Sequence, residues 1–191
     1  MRIPAHPALN AAFLQRLRCH FRRGGLIAYP TESCFGLGCD PRNARAVRCL
    51  LRLKGRPQNK GLILIADKAQ RLKGYIAPLD AAQQQRVGET WPGPHTWLAP
   101  VGKKAARWLR GQHNSIAVRV TAHPLAAALS HCLGSALVST SANRAGLKPL
   151  KTYTACRKAF GDRVLAVPGK IGNRKKPSII RDLASGRIIR G

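Results

Sequence analysis

Residues 25–40, GLIAYPTESCFGLGCD, contain the pattern that decides the fold of this chain. The apolar run Gly25–Tyr29 predicts a buried strand, and Pro30 predicts where that strand stops. Gly36 and Gly38 then predict a glycine-spaced turn, because glycine permits backbone angles and close approaches that larger residues resist. The connection between strand and turn is either an ordinary strand-to-helix loop or part of a substrate site. It presents three polar side chains, Thr31, Glu32 and Ser33.

Apolar runs alternate with amphipathic stretches over the rest of the sequence. Such alternation is typical of an α/β fold with a mixed, twisted sheet. With no internal repeat or linker in the sequence, we expect one domain over residues 1–191 with its core from about residue 8. The pattern predicts helices at 8–23, 43–54, 80–89, 103–110, 124–133 and 152–160. It predicts further strands at 61–66, 95–101, 115–121, 136–140, 163–167 and 178–181.

The charge of the chain is strongly one-sided. Its 191 residues include 34 Lys and Arg against 7 Asp and Glu, a formal net charge of +27. The excess is spread over almost the whole sequence, and self-repulsion on this scale opposes compaction, so we expect an anionic partner. Nucleic acid, nucleotide phosphates and acidic lipid head groups all meet that expectation. A solvated basic surface without special function is the remaining alternative.

The opening stretch, MRIPAHPALNAAFLQRLRCHFRRGG, lacks the uninterrupted apolar core of a secretory signal. No stretch approaches the roughly 20 apolar residues of a membrane span, so we expect a cytoplasmic protein with no membrane partner. None of the six cysteines forms a C-x-x-C pair and no His cluster completes a zinc site. Reduced, mostly buried thiols and no metal site are therefore expected. Cys34 and Cys39 flank the glycine pair, and we expect no catalytic thiolate there.

Two segments place cations where a ligand could neutralise them. In KGRPQNKGLILIA, which starts at Lys54, that lysine, Arg56 and Lys60 converge on one loop. They either hold a triphosphate or extend into water at a helix end. In SIAVRVTAHPL, Arg119 interrupts an apolar strand and needs a partner, since an unpaired buried guanidinium is costly. That partner is either one of the chain's few carboxylates or the carboxylate or phosphate of a ligand.

The segment ALVSTSANRAG, residues 136–146, ends a predicted strand in a polar cluster suited to phosphate, ribose or base contacts. Such clusters are also common as helix caps. The sequence has no G-x-x-x-x-G-K-[ST] phosphate loop, no G-x-G-x-x-G fingerprint and no G-x-S-x-G elbow, and its carboxylates are scattered. Chemistry in this chain should therefore depend on positioning and charge stabilisation. The cluster consists of Ser139, Thr140, Ser141 and Asn143.

Taken together, YPTESCFGLGCD, KGRPQNKGLILIA, WPGPHTWLAP with SIAVRVTAHPL, and LVSTSAN resemble, in that order, the motifs of the YrdC/TsaC family. The resemblance covers nearly the whole chain. It implies a single-domain YrdC-like fold, a twisted mixed sheet with flanking helices around a basic cavity. It also implies an L-threonylcarbamoyladenylate synthase, a nucleotidyltransferase. Such an enzyme uses L-threonine, bicarbonate or carbon dioxide, and ATP with magnesium, and releases L-threonylcarbamoyl-AMP and pyrophosphate.

The product of that reaction would serve threonylcarbamoyladenosine modification of tRNAs that read codons starting with A. The resemblance implies matching partners: a threonylcarbamoyl transferase complex of the TsaD, TsaB and TsaE type, and tRNA or RNA held by the basic surface. A non-catalytic RNA-binding or ribosome-assembly factor that uses the same basic cavity is the alternative. Its binding should weaken steeply with salt and ignore threonine. The aromatic residues, however, show no RNP-like pattern of stacking platforms.

Carried over motif by motif, the resemblance assigns residues to each substrate. The catalytic cations would be Lys54, Arg56 and Arg119. Threonine would contact Thr31, Arg119, Ser139 and Ser178, with Arg119 pairing its carboxylate. ATP would be held by Lys54, Arg56, Lys60, Ser115, Ser141, Asn143 and Arg190. Three positions depart from the family pattern near the ATP contacts: Arg144 and Ala145 after the SAN motif, and Asn173 in the usual Gly-Gly pair.

Overall fold

The computed structural model describes residues 9–191. The predicted helix start at residue 8, and the opening stretch up to that residue, lie outside the described residues. The strands are β1 (Leu26–Pro30), β2 (Phe35–Gly38), β3 (Ile63–Ala66), β4 (His95–Pro100), β5 (Ser115–Val120), β6 (Leu137–Ser141), β7 (Val164–Ala166), β8 (Ile179–Asp182) and β9 (Ile188–Arg190). The α-helices are α1 (Ala11–Arg22), α2 (Ala44–Lys54), α3 (Ala81–Thr90), α4 (Arg107–Arg110), α5 (Pro124–Leu133) and α6 (Tyr153–Phe160).

Local capping explains where the helices begin and end. The Asn43 side chain accepts a hydrogen bond from the Ala46 N–H at 3.0 Å and starts α2, and Gly55 ends it in the left-handed conformation. Thr152 caps α6 in the same way, through the Ala155 N–H. The observed bounds of α2, α3, α5 and α6 agree with the predicted ones to within one residue at each end.

All nine described strands belong to one mixed sheet in the order β7-β1-β2-β6-β3-β5-β4-β8-β9. Three pairs are parallel, namely β1 with β7, β3 with β5, and β4 with β8, and the other neighbours are antiparallel. The chain thus crosses the sheet repeatedly, and β3, β5 and β6 come together in its centre. The predicted mixed α/β fold is confirmed.

Each face of the sheet is covered by its own hydrophobic cluster. Leu64 and Ile65 are adjacent on β3 and belong to different clusters, since successive strand residues point to opposite faces. Helices α1 and α5 pack on the face of Ile65, and α2, α4 and α6 pack on the face of Leu64. Trp97 belongs to the cluster of Leu64, and Trp91 packs against that cluster. Within residues 9–191, no helix is long and apolar enough to cross a membrane.

The prediction that FGLG forms a turn is wrong, because these residues form β2 between β1 and β6. Their glycines serve close packing and not unusual backbone angles. A Cβ built on Gly38 would lie 2.4 Å from the Val138 carbonyl oxygen and 2.9 Å from Cε1 of Tyr29. Glycine is therefore required for β2 to approach β6 and the tyrosine ring.

Two other segments differ from the predicted pattern. The predicted helix at 103–110 is helical only over Arg107–Arg110, because turns anchored to Gly74 and Gly102 occupy its first half. The short strand Ile188–Arg190 was not predicted, since three residues carry too little periodicity to be recognised. It pairs with β8 at the edge of the sheet and brings Arg190 toward the site described next.

Candidate active site

A cavity of about 210 Å³ brings together most of the predicted site residues. The loop between β1 and β2, the central strands β3, β5 and β6, and the C-terminal segment all contribute to its wall. Gly36 keeps part of the wall open, since a Cβ there would lie 3.3 Å from Thr31 Cγ2 and 3.4 Å from Ser139 Oγ. The lining consists of Thr31, Ser33, Cys34, Gly36, Arg56, Leu62, Ile63, Arg119, Ser139, Thr140, Ser141, Pro149, Pro177, Ser178 and Arg190.

Three arginines from distant parts of the sequence share this cavity. Arg56 follows α2 and donates to the Gly61 carbonyl at 2.9 Å, and Arg190 on β9 donates to the Ser178 carbonyl at 3.0 Å. Burial and the charge of Arg190 lower the pKa of Arg56, and burial and the charge of Arg119 lower the pKa of Arg190. The charged form of Arg56 is thus destabilised by Arg190, and that of Arg190 by Arg119. An anionic ligand among them would relieve that repulsion.

The third arginine, Arg119, has a carboxylate partner within the protein. Its Nη1 lies 3.1 Å from Oε2 of Glu32, and the two side chains are only 9% and 13% exposed. Burial alone would raise the pKa of Glu32, but the charge of Arg119 and a hydrogen bond from Thr121 outweigh it and lower the pKa. The sequence allowed either a protein carboxylate or a ligand as the partner of Arg119, and the structure shows the protein carboxylate, Glu32. Arg119 still has a guanidinium donor, Nε, without a hydrogen-bond partner among residues 9–191.

Lys54 turns away from water into the loop after β6. Its Nζ lies 2.6 Å from the Ser141 carbonyl, 3.2 Å from Ser141 Oγ, 3.0 Å from the Asn143 carbonyl and 2.8 Å from Asn143 Oδ1. The residue is 4% exposed, so the interpretation that this lysine extends into water is wrong. Burial, with the nearby charge of Arg56, lowers the pKa of Lys54 to about 8. Four surrounding oxygen acceptors favour the ammonium form at neutral pH.

The hydroxyl groups of the cavity are held in place by short hydrogen bonds. Thr31 Oγ1 donates to the Cys34 carbonyl at 2.8 Å, and Thr96 Oγ1 donates to Ser178 Oγ at 3.0 Å. Burial raises the pKa of the Cys34 thiol despite a hydrogen bond from Ser33. This supports the expectation that no catalytic thiolate is present there, because a protonated thiol is a poor nucleophile.

The structure gathers some predicted site residues and leaves others apart. Lys54 and Asn143 lie behind the cavity wall, joined through the loop after β6. Lys60 is on the exposed 3-10 helix Gln58–Lys60, and Ser115 starts β5; neither lines the cavity. The predicted residues that do line it are Thr31, Arg56, Arg119, Ser139, Ser141, Ser178 and Arg190.

Sequence reasoning missed two contributors to this site. The sequence pattern predicts Glu32 only as a polar loop residue, and it gives no indication that Thr121 donates to that carboxylate. The scarcity of acids in the chain could have indicated Glu32 as the partner of Arg119. Glu32 is the acid of the PTES motif and follows Thr31 directly. Across residues 9–191, no three His, Cys, Asp or Glu side chains are grouped as a metal ion would require.

The fold and cavity define a mixed α/β protein with a hydroxyl-lined cavity that three arginines share. The chain belongs to the Sua5/YciO/YrdC family, described as telomere recombination, whose profile matches residues 19–191. It is 58% identical over 172 residues to a threonylcarbamoyl-AMP synthase of Methylobacillus flagellatus, covering 90% of this chain and 96% of that protein. It is 56% identical over 176 residues to a threonylcarbamoyl-AMP synthase of Chromobacterium violaceum, covering 92% and 91%.

Solved structures agree with this family fold. P. abyssi Sua5 superposes with a TM-score of 0.83 at 26% identity, over 89% of this chain and 50% of that protein. E. coli YciO superposes with a TM-score of 0.82 at 24% identity, over 98% of this chain and 91% of that protein. P. abyssi Sua5 complexed with L-threonine gives a TM-score of 0.83 at 24% identity, over 92% of this chain and 52% of that one. They confirm the mixed α/β fold with a twisted sheet that the resemblance implies.

Proposed function

We propose that this chain is a threonylcarbamoyl-AMP synthase, an enzyme that joins L-threonine, bicarbonate or carbon dioxide, and ATP in the cavity described above. The observation that carries the proposal is the convergence of Arg56, Arg119 and Arg190 on one hydroxyl-lined cavity. The curated relatives named as threonylcarbamoyl-AMP synthases support it at up to 58% identity. They favour the synthase over a non-catalytic RNA-binding factor.

The reaction needs no protein nucleophile. The amine of threonine attacks carbon dioxide and loses a proton, which gives a carbamate. A carbamate oxygen then attacks the α-phosphorus of ATP, the bond to the β-phosphate oxygen breaks, and pyrophosphate leaves. Negative charge accumulates on the phosphates during this step, so cations around the cavity stabilise the transition state. The scarcity of paired carboxylates in the sequence is compatible with such chemistry.

The residues of the cavity divide between the two larger substrates, threonine and ATP. Arg119, with the hydroxyls of Thr31, Ser139 and Ser178, would hold threonine, and Arg56 and Arg190 would face the phosphates of ATP. The contacts of Lys54 support a role in holding the loop of Ser141 and Asn143 against the nucleotide. Lys60 and Ser115 do not line the cavity and would have to contact ATP from outside it. Magnesium would enter with the triphosphate, because the hydroxyls that line the cavity are neutral and Glu32, in the loop between β1 and β2, is already paired with Arg119.

Two macromolecular partners follow from this reaction, a transferase complex and tRNA. Threonylcarbamoyl-AMP would pass to a transferase complex of the TsaD, TsaB and TsaE type, which modifies tRNA. A net charge of +27 supports an encounter with tRNA, since such a charge attracts polyanions over long distances.

The direct test measures pyrophosphate release from ATP and magnesium, with threonine and bicarbonate omitted in turn, and the mass of the quenched product. We expect release only when both are present, with the mass of threonylcarbamoyl-AMP. Well-folded protein that releases no pyrophosphate, and binds RNA without regard to threonine, would support the non-catalytic alternative.

A further inference from the structure

Glu32 is an acid inside a site otherwise crowded with cations. It follows Thr31 in the loop between β1 and β2, and its carboxylate meets Arg119 on β5, 87 positions further along the chain. Both side chains are largely buried. The pair thus joins a cavity loop to a central strand at the place where the substrate carboxylate is proposed to bind.

The Glu32 carboxylate is held from two sides. Thr121 Oγ1 donates to its Oε1 at 2.7 Å, and the Ala122 N–H donates to the same oxygen at 3.2 Å. Oε2 lies 3.1 Å from Arg119 Nη1 and accepts no hydrogen bond within residues 9–191, so its contact with Arg119 is an ion pair. With one oxygen fixed by two donors, rotation of the carboxylate is restricted, and the direction from which it meets the guanidinium is set.

The backbone of Glu32 is fixed as well. Its carbonyl accepts from the Arg174 N–H at 3.0 Å, and the Thr31 carbonyl accepts from the Gly172 N–H at 2.9 Å. A Cβ on Gly172 would lie 2.8 Å from the Glu32 carbonyl oxygen, so only glycine permits this approach. The position of Glu32 is therefore determined at both its side chain and its main chain.

Arg119 keeps unused donors on another edge. Its Nε is buried and has no hydrogen-bond partner among residues 9–191, although a buried guanidinium donor normally has one. Glu32 occupies Nη1 only. Arg119 also lines the cavity, so a ligand carboxylate there can pair with guanidinium donors that Glu32 does not approach.

We propose that Glu32 is a positioning residue: its ion pair with Nη1 holds Arg119 so that the guanidinium donors that line the cavity face the carboxylate of threonine. This rests on the proposed function. Without Glu32 the guanidinium is free to rotate and is repelled by Arg190, so recognition of threonine weakens while recognition of ATP persists.

The test compares Glu32→Gln with Glu89→Gln, the same chemical change at an exposed position of α3. We expect Glu32→Gln to raise the KM for threonine at least about tenfold, because misplacement of an orienting group is costly, and to change the KM for ATP far less. Its preference for L-threonine over L-threoninamide should shrink, since the amide offers no carboxylate to Arg119. Glu89→Gln should behave as the parent protein in every assay.

A spectroscopic measurement tests positioning without turnover. The Nε–H signal of Arg119, assigned by its loss in Arg119→Lys, should report an ordered side chain in the parent protein and a mobile one in Glu32→Gln. If Glu32→Gln does not fold, Thr121→Val removes one donor to the carboxylate and should produce a smaller change in the same direction.

An unchanged KM for threonine in folded Glu32→Gln would overturn the inference. So would an equal loss for threonine and ATP with an ordered Arg119 signal, which indicates a general structural role. If Glu32→Gln fails to fold, an unchanged KM for threonine in Thr121→Val overturns it instead. Lack of turnover in the parent protein and Glu89→Gln would instead contradict the proposed function, and the Nε–H signal would still decide whether Glu32 positions Arg119.

Discussion

Lys54 Nζ lies 2.8 Å from Asn143 Oδ1 and 3.0 Å from the carbonyl oxygen of the same residue, 89 positions away in the sequence. The return contact runs through the main chain, since the Ala145 N–H donates to the Lys54 carbonyl at 2.8 Å. The end of α2 and the loop after β6 are therefore joined by both side chain and backbone. The lysine acts as a clamp on the loop proposed to hold ATP.

Replacing this lysine should damage stability and nucleotide binding together. Lys54→Met leaves the oxygens of Ser141 and Asn143 without their donor, at a cost of about 1–3 kcal/mol. We expect the melting temperature to fall by roughly 5 °C and the KM for ATP to rise, as measured by thermal unfolding and pyrophosphate release. Lys158→Met removes the same charge from an exposed site on α6 and should change neither quantity. Equal effects in both variants would mean that net charge, and not the clamp, is responsible.

The pKa of Lys54, about 8, predicts a pH limit for the clamp. Below that pH the amine is charged and offers three N–H donors to its oxygen acceptors. Above that pH the neutral amine offers only two N–H donors and no longer carries the positive charge that attracts those oxygens. We therefore expect kcat/KM for ATP to fall as the pH rises through about 8. In Lys54→Arg the cation persists, so this fall should be absent. A profile that is flat to pH 9.5 in the parent protein would contradict the assignment.

Arg119→Ala should abolish threonine-dependent turnover while ATP binding is largely retained. It also leaves Glu32 buried without its cation, at a cost of about 3–5 kcal/mol, so the protein should be less stable. The double variant Arg119→Ala with Glu32→Gln removes that uncompensated charge. We expect it to regain melting temperature but not turnover. If turnover returned with stability, the loss in Arg119→Ala would be a folding defect.

Gly38→Ala should destabilise the sheet, because the added methyl would meet the Val138 carbonyl oxygen at 2.4 Å. Overpacking of this kind costs about 1–3 kcal/mol, which denaturant unfolding measures. Gly88→Ala is the matched control: it lies in α3 with no atom within 4 Å of the new methyl. That change should stabilise the protein by about 0.5–1 kcal/mol. A neutral Gly38→Ala would show that β2 and β6 can separate without cost.

Cys34 should be an inert thiol although it lines the cavity. Burial raises its pKa, so little thiolate is present at neutral pH. Cys34→Ala should retain turnover, and iodoacetamide should label the exposed Cys19 and Cys49 before Cys34, as followed by peptide mass spectrometry. Loss of turnover in a stable Cys34→Ala protein would require a role for the thiol in the reaction.

Most helices and strands could be predicted because their signals are local. Asn43 and Gly55 delimit α2 through caps that depend on neighbouring residues alone. The prediction of a turn at FGLG was wrong because Gly38 is needed to leave room for Val138 and Tyr29, which are close to it only in the folded protein. The predicted start of the helix at residue 103 is wrong for the same reason, because the Lys104 N–H donates to the Gly74 carbonyl, which is distant in the sequence, and not to a helical neighbour.

The sequence by itself determined the α/β alternation, the basic character of the site and the segments that supply it, since periodicity, charge and motif order need no tertiary contacts. Only the tertiary structure decided that Arg119 meets Glu32, that Lys54 faces the loop of Asn143 and that Lys60 stays outside the cavity. These pairings join residues more than 80 positions apart. Their geometry is set by how the central strands pack, and no local signal in the chain specifies it.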